Sequence, residues 1–96
     1  MRKTKYTVIM SGKYKKDLSA INKRGKNTQK LKDIIAKLAM GEELPAKNKD
    51  HSLKGDWTGY RECHIEPDWL LVYRKEDKEL ILYATATGTH ADLFNL

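Results

Sequence analysis

Residues 60–74 decide the fold, and they read YRECHIEPDWLLVYR. Residues 60–66 alternate between polar and apolar side chains, which predicts a strand with one covered face. Pro67 and Asp68 form a turn, and residues 69–74 are rich enough in aromatic and β-branched side chains to form a second strand. After a polar reversal at residues 76–78, residues 80–87 predict a third strand, so this half of the chain is expected to be a meander.

Upstream of the meander, the sequence predicts one strand followed by two amphipathic helices. Residues 6–10 favour a strand, and the Ser11 hydroxyl can cap the helix that follows. Residues 24–27 break this helix, Thr28 is expected to cap the second helix, and Gly41 is expected to end it. Apolar side chains recur at helical spacing in both, namely Tyr14, Leu18 and Ile21 in the first and Leu31, Ile34, Ile35 and Leu38 in the second.

The element order is therefore β-α-α-β-β-β, which predicts an α+β fold in which an antiparallel sheet packs against an N-terminal helical hairpin. An isolated strand has no partner, so the first strand is expected to join the meander. Residues 42–57 lack a periodic pattern and form a long connection of the kind that tends to carry function. Because the chain has 96 residues, residues 1–96 are expected to form one domain.

Charge is distributed unevenly along the chain, whose formal net charge is +6. Residues 1–54 hold fifteen basic and five acidic side chains, whereas residues 55–96 hold four basic and eight acidic ones. A strongly basic half can bind a polyphosphate by releasing its counterions, or it can receive an acidic protein. The alternative is a lysine-rich surface that is only well solvated.

The single cysteine, Cys63, cannot form an internal disulfide, which favours a reducing cytoplasm. In an alternating strand this side chain is expected to be ordinary packing rather than a nucleophile. No stretch approaches the roughly 20 apolar residues that a membrane span needs, so no membrane association is expected.

Three histidines, His51, His64 and His90, lie at predicted strand edges or in loops. Histidine exchanges protons near neutral pH. Cleavage of an RNA phosphodiester by internal attack needs a base for the 2′-hydroxyl and an acid for the departing 5′-oxygen. In an extended strand Glu62, His64 and Glu66 share one face, so Glu62 is expected to flank His64.

Two alternatives remain open for these histidines. On residue type alone, His64 is a strand surface residue and Asp68 is only a turn former. A metal site is the second alternative, although the spacings between the histidines match no closed ligand pattern. Four aromatic side chains are candidates for stacking on bases, of which one or two at most are expected to do so: Trp57, Tyr60, Trp69 and Phe94.

Three strings of this sequence together resemble the YafQ-type toxins of the RelE/ParE superfamily. They are residues 49–55 (KDHSLKG), residues 57–69 (WTGYRECHIEPDW) and residues 87–94 (TGTHADLF). The similarity extends to residues 14–17 (YKKD) and covers nearly the whole chain. It implies a RelE-like, microbial RNase-like α+β fold and an mRNA interferase, that is, a ribosome-dependent endoribonuclease that inhibits translation and cuts without a metal ion or other cofactor.

The resemblance also implies which residues act. The residues that match the family's catalytic positions are His51, His64, Asp68, His90 and Phe94. The residues expected to support catalysis or to bind phosphate are Arg61, Glu62, Trp69, Lys49 and Lys54. The implied roles are general acid for His90, the base end for His64 and Asp68, and assistance for His51.

One position departs from the family pattern. Family members usually carry Arg immediately before the segment that begins at Thr87, and this chain has Ala86 there. A guanidinium matches phosphate geometry, and loss of one such donor to a transition state can lower a rate about a hundredfold. The chain is therefore expected either to use another cation, such as Arg61 or a lysine, or to be an attenuated toxin.

The resemblance further implies a cognate antitoxin of the DinJ/RelB-like kind, which covers the basic half with an acidic segment. Two toxins and two antitoxins are expected to form a heterotetramer that reaches operator DNA through the antitoxin, whereas the free toxin is expected to be a monomer. The targets of the free toxin are expected to be the ribosome and its message. The alternative is a non-catalytic module of RelE/ParE fold that acts only by contact with protein or DNA.

Overall fold

The computed structural model describes residues 4–94, which form a five-stranded sheet flanked by helices. The strands are β1 (Thr7–Met10), β2 (His51–Ser52), β3 (Arg61–Glu66), β4 (Trp69–Glu76) and β5 (Ile81–Gly88). The helices are α1 (Gly12–Lys23), α2 (Thr28–Ala39) and α3 (His90–Phe94). Across the sheet the strand order is β1-β5-β4-β3-β2. Within the described part of the chain, no helix is long and apolar enough to span a membrane.

The predicted α+β class is confirmed, and the first strand does join the β3-β4-β5 meander. Neighbouring strands from β2 through β5 pair in antiparallel fashion, namely β2 with β3, β3 with β4 and β4 with β5. The predicted antiparallel sheet has one exception, because β1 pairs in parallel with β5, with Thr7 opposite Ile81. The Ser11 amide donates to the Ala84 carbonyl of β5 at 3.0 Å, and α1 then packs against that strand. The direction of β1 therefore follows from where α1 must lie.

One of the two predicted helix caps is confirmed. The Ser11 hydroxyl accepts from the Tyr14 amide at 2.9 Å and so caps α1. The prediction for α2 is wrong by one residue: Asn27 is the cap, its side chain accepts from the Gln29 amide at 3.1 Å, and Thr28 is already helical. Asparagine is among the strongest capping residues, and here it precedes the threonine.

The core lies between the sheet and the two long helices. It includes Tyr14, Ile21, Leu31, Leu38, Cys63, Trp69, Leu71, Tyr73 and Leu82, with Leu18, Ile34 and Ile35 packed against it. Both predicted apolar stripes therefore face the sheet. Burial raises the pKa of the Cys63 thiol to about 12, so the thiol stays protonated at neutral pH and acts as packing.

Trp69 is a core residue and is too buried to stack on RNA, while its expected supporting role stays a prediction. Its side chain is 1% exposed, and its indole nitrogen donates to the Thr87 hydroxyl at 3.0 Å. The Thr87 hydroxyl in turn donates to the Leu70 carbonyl at 2.6 Å. Because a buried indole N–H needs an acceptor, this contact ties β4 to β5 from the inside of the protein.

The long connection before β3 is more ordered than its sequence suggested. It contains single 3-10 turns at Ala46–Asn48 and Gly55–Trp57, and between them β2 pairs with β3. Asn48 is 5% exposed, and its amide nitrogen donates to the His64 carbonyl at 2.7 Å. The connection therefore packs along β3 and brings His51 beside Glu62.

Candidate active site

The alternation of β3 places two candidate residues on the face of the sheet that the long helices leave uncovered. Cys63 packs in the helix-covered core, so its neighbours Glu62 and His64 project to the opposite face, here termed the site face. Pairing across the sheet extends this face, because Glu62 lies opposite Val72 and Val72 lies opposite Ala86. The site face therefore carries position 86 as well as the two predicted residues.

Glu62 lies between two histidines. Its carboxylate oxygen Oε1 is 3.5 Å from His64 Nε2 and 3.9 Å from His51 Nε2, and Glu62 as a whole is 6% exposed. These separations are ion-pair distances rather than short hydrogen bonds. The other ring nitrogen of His51, Nδ1, is 2.7 Å from the Lys49 carbonyl and must donate to it, because a carbonyl only accepts. The Lys49 carbonyl therefore orients the His51 ring, whose Nε2 faces Glu62.

Asp68 holds His90 in place. The His90 ring nitrogen Nδ1 and the His90 backbone amide both donate to Asp68 Oδ1, at 2.6 and 3.1 Å. The His90 side chain, followed by its backbone amide, lowers the pKa of the Asp68 carboxyl, so Asp68 is ionised at neutral pH. Because Nδ1 is bound to a carboxylate, Nε2 is the nitrogen free to exchange a proton with a substrate.

This contact differs from the grouping that the sequence suggested, while the roles themselves stay predictions. Asp68 was expected at the base end together with His64, and the structure pairs it with His90 instead. The His64 and His90 rings nevertheless lie close together, with centroids 5.7 Å apart. These two histidines thus contact different carboxylates: Glu62 for His64 and Asp68 for His90.

The side chains of Glu62, His64 and His90, here termed the cluster, have the composition of a metal site. One ligand atom from each of Glu62, His64 and His90 lies within 4.8 Å of the others. Two imidazoles and a carboxylate suit a divalent transition metal. The side chains therefore fit two uses, which are proton transfer between paired imidazoles and capture of a metal ion.

Phe94 lies close to the cluster through α3. It follows His90 by four residues, which places both side chains on one side of this helix. The Phe94 ring packs edge-on against Trp57 at 5.8 Å, and Trp57 packs edge-on against Tyr60 at 5.6 Å. Three of the four aromatic candidates thus form one half-buried group near His90.

The structure does not bring Arg61 to the cluster. Arg61 alternates onto the side of Cys63, where its guanidinium is 3.3 Å from Asp50 and 2.8 Å from the Ser52 hydroxyl. Asp50 also accepts from the Tyr73 hydroxyl at 2.6 Å. These contacts explain why Arg61 is held away from the site face, so its expected role in phosphate binding loses its geometric basis.

The two predicted lysines, Lys49 and Lys54, are exposed, and Lys49 also supplies the carbonyl that holds His51.

Glu66 was expected on the same face of β3 as His64, but it forms ion pairs with Lys26 and Lys30 at 2.9 and 3.0 Å. The pairing of β3 with β4 shifts register between His64 and Glu66, which breaks the alternation on which that expectation relied.

Sequence reasoning missed the residues that hold α3. Asp92 accepts from the Thr89 amide at 3.0 Å and forms an ion pair of 2.7 Å with Arg24. The contact with Arg24, and then that with the Thr89 amide, lowers the pKa of Asp92 to about 2. The spacing Thr-x-x-Asp of residues 89–92 is a capping signal that was present in the sequence, whereas the partner Arg24 lies 68 residues away.

Comparison with known proteins identifies the family. The family model described as YafQ, a bacterial toxin of a type II toxin-antitoxin system, matches residues 6–95. The chain belongs to the YafQ family. It is 48% identical over 85 residues to the mRNA interferase toxin YafQ of Escherichia coli, which covers 88% of this chain and 90% of that relative.

Solved structures of YafQ toxins and related proteins share this fold closely. The YafQ-type chain of the Escherichia coli DinJ-YafQ toxin-antitoxin complex matches with a TM-score of 0.86 at 44% identity, covering 94% of this chain and 98% of that one. A metal-bound toxin from Helicobacter pylori matches with a TM-score of 0.87 at 39% identity, covering 93% and 99%. The YafQ fold is thus common to the two groups of toxins.

Proposed function

We propose that this YafQ-family chain is an mRNA interferase that cuts ribosome-bound message by acid and base catalysis. The observation that carries the proposal is the pair of imidazoles, His64 and His90, whose centroids lie 5.7 Å apart. Each ring is paired with a separate carboxylate, so the two rings can take different roles in proton transfer. The activity of its Escherichia coli relative, an mRNA interferase toxin, supports the same reading.

The proposed chemistry is internal attack on the phosphodiester. His64, backed by Glu62, removes the proton of the RNA 2′-hydroxyl, whose oxygen then attacks the adjacent phosphorus. His90 gives a proton from Nε2 to the departing 5′-oxygen, while Asp68 stabilises the charged imidazole through Nδ1. The products are a 2′,3′-cyclic phosphate and a 5′-hydroxyl. His51 assists from its place beside Glu62, with Nε2 3.9 Å from the carboxylate.

An open site would account for the proposed dependence on the ribosome. The His90 and Asp68 side chains are 37% and 67% exposed, so this end of the site is open to solvent. An open site holds little of an RNA strand by itself, so we infer that the ribosome presents the message in a fixed conformation. The fifteen basic side chains of residues 1–54 suit docking on ribosomal RNA.

We further propose that the chain, as one domain of residues 1–96, acts in the cytoplasm and is neutralised by a DinJ/RelB-like antitoxin. The Escherichia coli relative forms a DinJ-YafQ complex. Two toxins and two antitoxins then form a heterotetramer that reaches operator DNA through the antitoxin, and the free toxin is a monomer. An acidic antitoxin segment complements the basic N-terminal half.

We also propose that Ala86 weakens cleavage. Position 86 is on the site face in the same cross-strand row as Glu62, so an arginine there would project toward the reacting phosphate. Arg61 does not replace it, because its guanidinium is bound to Asp50 and Ser52 on the other side of the sheet. The toxin is therefore an attenuated enzyme whose catalytic scaffold is intact.

The test is primer extension on a defined message, with and without programmed ribosomes. We expect discrete cuts within the reading frame that require ribosomes and that survive a chelator selective for transition metals, which leaves ribosomal magnesium in place. Cuts that the chelator abolishes would instead assign a metal to Glu62, His64 and His90. If no cut occurs while the protein binds its antitoxin, the non-catalytic binding module replaces the enzyme.

A further inference from the structure

The helix that presents His90 is too short to hold itself. α3 comprises five residues, and it carries both His90 and Phe94. An isolated helix of this length does not form in water, since a first turn fixes several residues for a single hydrogen bond. Its position relative to His64 must therefore come from contacts with the rest of the protein.

Asp92 fastens the start of α3 to the end of β5. Asp92 accepts from the Thr89 amide at 3.0 Å, and the Asp92 amide donates to the Thr89 hydroxyl at 3.1 Å, which makes a reciprocal cap. A Cβ at Gly88 would lie 3.0 Å from the Asp92 side chain, so the carboxylate sits directly against the backbone of β5. These contacts of Asp92 with Thr89 and Gly88 fix the start of α3 relative to the end of β5.

Arg24 connects Asp92 to α1. It is the residue that ends α1, and its guanidinium donates to both carboxylate oxygens of Asp92, at 2.7 and 3.3 Å. Asp17, also on α1, accepts from the Thr87 amide at 3.1 Å. α1 thus holds the chain on both sides of Gly88, directly before His90.

We propose that Arg24 and Asp92 are positioning residues, which hold α3 against α1 and thereby keep His90 opposite His64. The proposal rests on the proposed catalytic role of His90. The Arg24 and Asp92 side chains are 47% and 36% exposed. Exposed ion pairs add little to global stability, so loss of this pair is expected to loosen α3 without unfolding the protein.

The kinetic test compares Arg24→Gln, Asp92→Asn and the double variant with the unmodified toxin. We expect each single variant to lower kcat about tenfold to a hundredfold with KM little changed, because a small misplacement of a catalytic group has effects of this size. Since the two residues act as one pair, the double variant should lose no more than the worse single variant. Arg24→Lys, which keeps the charge, should recover part of the rate.

The control is Arg74→Gln. Arg74 forms an exposed ion pair with Glu76 at 3.9 Å, and both residues belong to β4 rather than to α1 or α3. This variant should cut at the normal rate. Losses that add in the double Arg24 and Asp92 variant, or an equal loss in Arg74→Gln, would overturn the proposal and assign the effect to general surface charge.

Hydrogen exchange tests the same proposal without relying on cleavage. We expect faster amide exchange for Asp92 and Leu93 in Arg24→Gln, while the amides of β3 and β4 keep their protection. If α3 exchanges as slowly as in the unmodified protein, the proposal fails, whether or not the toxin cuts RNA. If the unmodified toxin cuts nothing while Arg24→Gln speeds exchange in α3, the proposed function fails, but the role of Arg24 and Asp92 in holding α3 is supported.

Discussion

Replacing His90 with alanine is expected to abolish cleavage of ribosome-bound message, because it removes the general acid. We expect the single-turnover rate to fall about 10²- to 10⁴-fold, the range in which one positioned acid or base contributes. His90 is the histidine with the shortest carboxylate contact, 2.6 Å from Nδ1 to Asp68, which leaves Nε2 to serve the leaving 5′-oxygen. The measurement is cleavage of a labelled message by excess toxin on programmed ribosomes.

His51→Ala is the matched control for this result. The His51 side chain is 51% exposed, and its Nε2 lies 3.9 Å from Glu62, so its contact with the cluster is looser than that of His90. We expect a smaller loss from His51→Ala, and unchanged thermal unfolding for both variants because neither side chain lies in the core. A general acid contributes about a hundredfold or more to the rate. If His90→Ala keeps more than roughly a tenth of the rate, His90 is therefore not the general acid.

Replacing Ala86 with arginine is expected to raise the cleavage rate about a hundredfold, the size of effect that one donor to an oxyanion commonly has. The physical reason is the position of residue 86 on the site face, where it shares a row with Val72 and Glu62. A guanidinium there can donate two hydrogen bonds to the phosphate as negative charge develops on it. The same single-turnover assay measures the gain.

The control for this substitution is Ala86→Gln, which adds a long polar side chain without a charge. Ala86 is 0% exposed, so either side chain must displace neighbouring atoms, and thermal unfolding is followed for both variants. A gain with arginine and none with glutamine assigns the effect to the guanidinium. An arginine variant that remains folded and cuts no faster would show that Ala86 does not limit this toxin.

The sheet and the helices could be predicted from local pattern, whereas the direction of β1 could not. Strands β3 and β4 follow from alternation interrupted by the turn at Pro67 and Asp68, and both helices follow from apolar spacing. β1 is a four-residue strand at the edge of the sheet, and its pairing with β5 spans 74 residues, as from Thr7 to Ile81. A short apolar run such as β1 does not indicate which distant strand it will pair with, or whether the pairing is parallel or antiparallel.

In the candidate site too, local contacts could be predicted from the sequence and long-range contacts could not. The proximity of Glu62 and His64 follows from a two-residue period within one strand, and the structure places them 3.5 Å apart. The contact of Asp68 with His90 could not be predicted from local pattern, because the two residues lie 22 apart in sequence. The surroundings of Trp69 and Arg61 could not be predicted for a different reason: residue type does not reveal that Trp69 is 1% exposed or that Arg61 is held by Asp50.

The most direct test of the two-histidine mechanism is the chemistry of the new RNA ends. Message cut on the ribosome is isolated, and its 5′ and 3′ termini at the cut site are identified by enzymatic labelling and mass spectrometry. Internal attack aided by His64 and His90 predicts a 5′-hydroxyl on one fragment and a 2′,3′-cyclic phosphate, or the 3′-phosphate formed from it, on the other. A 5′-phosphate with a 3′-hydroxyl would contradict the account, because water rather than the 2′-hydroxyl would then be the nucleophile.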